Sequence, residues 1–185
     1  MGLNEKKDMI LFMGTFPPRE CGIATFTRDL TNAIGRNISP QMDYGIVAMN
    51  VNGTNMYNYP KRVLFQVNDR DVDDYLRVAR EINEMPEVKL ICIQHEFGLF
   101  GENYGENIIP FLQELKKPVI ITLHSILPDP DRGFKKRVRQ LADNSDAFIV
   151  MANKAVEILR KTYGLTNEIY NIPHGIHFVP FEESC

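Results

Sequence analysis

The stretch Met9-Ile10-Leu11-Phe12-Met13-Gly14, running into Thr15-Phe16-Pro17-Pro18-Arg19-Glu20-Cys21-Gly22-Ile23-Ala24, decides the fold. Five consecutive apolar residues without polar alternation describe a strand buried on both faces, the habit of a parallel sheet lying under helices. After the loop, Ile23, Phe26, Leu30, Ala33 and Ile34 recur on one helical face. Strand, short loop and amphipathic helix, in that order, open a doubly wound α/β domain.

The rest of the chain repeats this alternation. Further apolar runs lie at Tyr44 to Met49, Val63 to Val67, Leu90 to Ile93, Val119 to Leu123, Ala147 to Met151 and Ile169 to Ile172. Helical periods stand between them: Val72, Tyr75, Leu76, Ala79 and Ile82; Ile108, Phe111, Leu112 and Leu115; Ala155, Val156, Leu159 and Tyr163. Pro110 fits a helix only in its first turn, and Gly164 reads as a helix stop. The polar stretch Asn50 to Pro60 reads as a surface loop. The expected architecture is a Rossmann-like, mainly parallel sheet of six or seven strands with helices on both faces.

Bulk properties narrow the function classes. The chain has 185 residues, 44% of them hydrophobic and 24% charged, which suits one globular domain. A net charge of -3 gives no support to nucleic-acid binding. Cys21, Cys92 and Cys185 are odd in number and form no CxxC pair, so neither a disulfide framework nor a zinc site is expected, and a cytoplasmic location fits. The first ten residues carry charges and no apolar core of a signal peptide. No apolar run has the length of a transmembrane span.

Ligands of open parallel sheets bind beyond the carboxyl ends of the strands. There the first loop feeds a helix N-terminus, whose free N–H groups and positive dipole end suit a phosphate. Gly22 would admit it closely; a tight turn without ligand explains Gly22 equally well. The loop contains no GxGxxG, so no nicotinamide or flavin cofactor is expected. His95, His124 and His174 each follow a predicted strand and belong on one edge of the sheet. They read as a cleft, or with Glu96 as metal ligands, although no HExxH spacing supports a metal. Cys21 precedes a helix but has no base beside it in sequence and reads as an ordinary loop cysteine.

The segment Thr15 to Phe26 resembles the first loop and helix of glycosyltransferase family four, the retaining GT-B glycosyltransferases. Gln94-His95-Glu96-Phe97-Gly98, Thr122-Leu123-His124 and Ile172-Pro173-His174-Gly175-Ile176 resemble later signatures of that family in the same order. The resemblance implies two Rossmann-like domains facing a cleft, an N-terminal one for the acceptor and a C-terminal one for the nucleotide-sugar donor. It implies that Gly22 and Ile23 approach the donor phosphate or sugar and that His124 is the catalytic residue beside the transferred hexose. Arg19, Glu20, His95, Glu96 and His174 would line the acceptor side, facing a carbohydrate or lipid-linked acceptor. Cys21 stands where many members have the first of two glycines. Residues 1–180 are expected to form the N-terminal domain and 181–185 the start of a linker to a donor-binding domain not in this sequence, leaving the chain alone close to inactive. Two other readings stay open: a stand-alone glycan- or phosphate-binding module, and a metal-dependent α/β hydrolase.

Overall fold

The computed structural model describes residues 7–51 and 57–175. Its strands are β1 (Asp8–Gly14), β2 (Met42–Asn50), β3 (Val63–Asn68), β4 (Val88–His95), β5 (Val119–Leu123), β6 (Ala147–Val150) and β7 (Glu168–Asn171). They form one sheet in the order β3-β2-β1-β4-β5-β6-β7, with every neighbouring pair parallel. Each apolar run of the sequence is a strand. The helices are α1 (Gly22–Ile38), α2 (Val72–Asn83), α3 (Glu102–Gly105), α4 (Ile108–Glu114), α5 (Arg132–Asp143) and α6 (Asn153–Ile158). The last runs on into a π-turn, Leu159–Tyr163, and stops at Gly164, whose φ of 70° is left-handed.

Strand alternation distributes the core to both faces. Leu11 and Met13 of β1, Val47 and Met49 of β2 and Val67 of β3 pack with Tyr75, Val78, Phe111 and Val138 from α2, α4 and α5. Phe12, Ile46 and Ala48 point the other way, toward Leu30 and Ile34 of α1. Fully burying each of the large apolar side chains contributes about 1.5–3 kcal/mol, and Phe12, Phe111 and Phe148 all qualify.

The two largest departures from the sequence reading lie in helices. The deepest residues of α1 are Ala24, Thr27 and Thr31, whereas Ala33 is exposed. The threonine hydroxyls donate to the carbonyls of Ile23 (2.7 Å) and Arg28 (3.0 Å), so the polar atoms are satisfied and a slim helix face meets the sheet. A Cβ on Gly14 would stand 3.1 Å from Gln94 Cβ and 3.6 Å from Thr27 Oγ1, which shows how closely α1 approaches. The other departure is α5, a segment to which the sequence reading assigned no helix. Its apolar stripe is Phe134, Val138, Leu141 and Ala142, thinned by the charges between, and Asp131 caps it by accepting from Phe134 N at 2.8 Å. Pro110 is the third residue of α4, within the first turn. On α2, Val72 is 36% exposed rather than part of the buried face.

Sheet order places the candidate site. From β1 the chain moves outward through β2 and β3, then returns to β4 on the other side of β1 and proceeds to β7. The switch point lies between β1 and β4, where the loops leaving their carboxyl ends diverge and leave a crevice.

Candidate functional site at the carboxyl edge of the sheet

The loop leaving β1 is built to start α1. Cys21 is the N-cap: its backbone is extended, and its Sγ accepts from Ala24 N at 3.4 Å and lies 3.1 Å from Thr15 Oγ1. The sequence reading of an ordinary loop cysteine missed this capping role, which a thiol fills less well than an oxygen. Cys21 O accepts from Thr25 N. The amides of Gly22 and Ile23 carry no hydrogen bond among the described residues, as the first turn of a helix leaves them. Gly22 is exposed, and a Cβ built on it meets nothing within 4 Å. The start of α1 is thus an accessible pair of donors at the positive end of a helix of 17 residues.

Across the switch point, β4 and β5 end together: Gln94 pairs with Thr122, His95 with Leu123, and His124 N donates to His95 O at 3.0 Å. Gln94 is fully buried. Its amide nitrogen faces Thr122 Oγ1 at 3.5 Å, leaving Oε1 to accept from His124 Nε2 at 3.0 Å. That assignment gives His124 the Nε2–H tautomer and leaves Nδ1 as an acceptor. Burial pushes the His124 pKa down and His174 adds to this, while Glu96 opposes both. His124 is accordingly neutral at pH 7.

Phe26 of α1 joins the two sides. Its ring meets His124 edge-on at 4.8 Å and His174 at 5.1 Å between centroids. His174 is exposed after β7, its Nδ1 2.6 Å from Gly175 O. Glu96 turns back on the loop, accepting from Phe97 N at 3.0 Å and from the Ser125 hydroxyl at 2.6 Å. Gln94, Phe26 and Ser125 are the site residues that the sequence reading missed. Gln94 carried a signal in its place beside His95 at a strand end, and Phe26 in its place at the end of the first resembling segment; Ser125 carried none.

The remaining expected residues are distributed differently. Arg19 is half-buried and its guanidinium reaches Met49 O at 3.4 Å, tying the β1 loop to the end of β2. Glu20 is exposed on the same loop. His95 lies at the expected edge, but the expectation that it opens onto a cleft is corrected. Its ring is wholly buried, stacked on Phe100 at 5.1 Å and edge-on to Phe97 at 4.7 Å. The apolar residues that follow β4 fold back over it. Ile176, Cys185 and the expected linker, residues 181–185, lie outside the described residues.

Two other features bear on the choice of site. A polar concavity of about 620 Å³ lies at the opposite end of the sheet, among Gly35, Arg36, Asp43, Tyr44 and Arg62. There Arg62 is already committed, paired with Asp43 at 2.5 Å and lying 4.2 Å over the Tyr44 ring. The carboxyl edge keeps priority, because the strand topology and the free α1 amides coincide there. Among the described residues, no three His, Cys, Asp or Glu side chains come together as a metal-ligand set, and no helix is long and apolar enough to cross a membrane.

No protein-family model matches the chain, and no curated protein matches it. What stands is a Rossmann-like parallel α/β fold of the kind from which GT-B enzymes are built.

Proposed function

We propose that the chain is the acceptor-side half of a retaining GT-B glycosyltransferase, transferring a hexose from a nucleotide-sugar donor together with a donor-binding domain. One juxtaposition carries this reading: the unpaired Gly22 and Ile23 amides at the start of α1, and the Gln94–His124 pair, meet through Phe26 at the switch point.

The chemistry follows from the parts. The Gly22 and Ile23 N–H groups would donate to a phosphate or sugar oxygen of the donor, and the α1 dipole would take up part of the charge on the leaving diphosphate. His124, fixed by Gln94, would offer Nδ1 to a sugar hydroxyl and hold the ring in the reactive pose. Its neutrality suits that role, since a cation beside a developing positive sugar carbon would oppose transfer. Glu96, Arg19, Glu20 and His174 would border the acceptor. Neutralising a diphosphate needs more positive charge than this edge holds, so the second domain would complete it.

The test is nucleoside diphosphate release by the full-length polypeptide with a panel of nucleotide sugars, and the anomeric configuration of the product. Release with retention supports the reading; inversion, or no turnover with any donor, counts against it. The unpaired amides also favour a stand-alone phosphate- or glycan-binding module. That alternative predicts micromolar binding of nucleotide sugars by this chain alone, whereas the transferase reading predicts weak binding or none.

A further inference from the structure

His95 is the unexplained polar group of this fold. Both imidazole nitrogens are buried and have no hydrogen-bond partner. Such a group weakens a folded state, because it gives up water and receives nothing in return. An apolar ring would fill the same space between Phe97 and Phe100 at less expense.

The segment over it has an unusual path. Gly101, Asn103, Tyr104 and Gly105 all have positive φ, at 88°, 47°, 62° and 74°. Two of these are not glycines, and left-handed backbone is uncommon for them. A Cβ on Gly105 would come within 3.8 Å of His95 Nε2. The path is held from outside by polar side chains. Arg137 of α5 donates to Asn103 O at 3.2 Å and to Glu106 Oε2 at 3.3 Å, and Tyr104 donates to Asp131. Arg137 also leaves a buried Nε without a partner. Polar ties holding left-handed backbone over an unsatisfied imidazole describe a closed state that a ligand could exchange for an open one.

We infer that Phe97–Glu106 is a cover over a closed subsite at His95, latched by Arg137, and that a sugar or polyol hydroxyl takes an imidazole nitrogen when the cover lifts. A neutral imidazole offers one donor and one acceptor, which hydroxyls match and an anion does not. Glu106 already balances the Arg137 charge, so the subsite does not call for an anion. Phe97, Phe100 and Phe134 supply aromatic walls for the C–H faces of a sugar ring. The cover stands independently of the transferase reading; only the equation of this hydroxyl compound with an acceptor rests on it.

The experiment is carbethoxylation of His95 in this chain, followed by mass spectrometry, with methyl α-mannopyranoside as probe. His95 should react slowly in the wild type and on the order of 10-fold faster in Arg137→Gln, which cannot span both latch partners. Tyr104→Phe, which loses only the bond to Asp131, should raise the rate in the same direction and guards against misfolding of the first variant. The glycoside should slow labelling in both. His95→Phe should raise the melting temperature and abolish any effect of the glycoside on amide exchange at residues 101–106. Equal labelling in folded variants and wild type, no effect of glycoside, or a lower melting temperature for His95→Phe would each overturn the proposal. Protection in this chain with no transfer by the full-length polypeptide would retain the subsite and discard the transferase reading; transfer by the full-length polypeptide with His95 unprotected would do the reverse.

Discussion

Gln94 near the end of β4 and His124 immediately after β5 are joined by a 3.0 Å hydrogen bond that fixes which histidine nitrogen carries the proton. Gln94 is fully buried, so it cannot swing away to another partner. Replacing it with Leu keeps the volume and frees the ring. In the proposed two-domain transferase, Gln94→Leu is expected to lower kcat roughly 10- to 100-fold with a smaller change in KM. Because Gln94 positions another residue, the split between kcat and KM is the informative readout. A variant with unchanged kcat and only a lower melting temperature would make the bond purely structural.

Gly22 separates stability from ligand approach. Nothing stands within 4 Å of a Cβ there, and alanine is the better helix former. Gly22→Ala should therefore be as stable as the wild type, or up to about 1 kcal/mol more stable. If a donor phosphate approaches the first turn, the same methyl should raise the KM for nucleotide sugar. Urea denaturation and steady-state kinetics on the same preparation test both halves, and an unchanged KM would remove Gly22 from the donor site.

Burial pushes the His95 pKa down to about 3, with His124 and the Arg137 charge adding to it. The folded state then keeps His95 neutral while the unfolded chain protonates near pH 6.5. Above about pH 6.5 the ring is neutral in both states and its titration costs nothing; as pH falls from there toward 3 the unfolded chain takes up a proton that the folded state refuses, and stability falls by up to about 1.4 kcal/mol per pH unit. His124 acts in the same direction. The upper part of that window lies above the carboxylate range, so denaturation curves between pH 6.5 and 5 isolate the histidines. His95→Phe should flatten the dependence there; an equally steep dependence in that variant would assign it elsewhere.

Cys21 caps α1 with a sulfur at 3.4 Å from Ala24 N. A hydroxyl is the stronger acceptor and serine a preferred N-cap. Cys21→Ser is expected to stabilise the chain by about 0.5–1 kcal/mol, read from the urea midpoint at unchanged slope. A loss of stability would mean that the thiol packs, beside Thr15, more than it caps.

The sheet was legible because its strands are buried on both faces, so Met9 to Met13 and Val119 to Leu123 appear as unbroken apolar runs. α5 was not, because Arg132, Lys135, Lys136, Arg137 and Arg139 dilute a stripe that tertiary packing alone completes. On α1, Ile23, Leu30 and Ile34 pack as the sequence implies, but the deepest positions were hidden for the opposite reason. Thr27 and Thr31 bury by bonding their own helix, which makes polar residues behave as small apolar ones. At the site, strand ends told where His95 and His124 belong but not how they differ. The sequence does not show that Phe97 and Phe100 close over one ring, nor that Gln94 reaches the other from the neighbouring strand.

The most direct measurement is kcat and KM for nucleotide-sugar turnover by the full-length polypeptide carrying His124→Ala, beside its melting temperature. A histidine that holds the transferred sugar predicts a fall in kcat on the order of 10²-fold, a small change in donor KM, and a folded protein. Normal kcat with a lowered melting temperature would contradict this and leave His124 as a packing residue at the edge of the sheet.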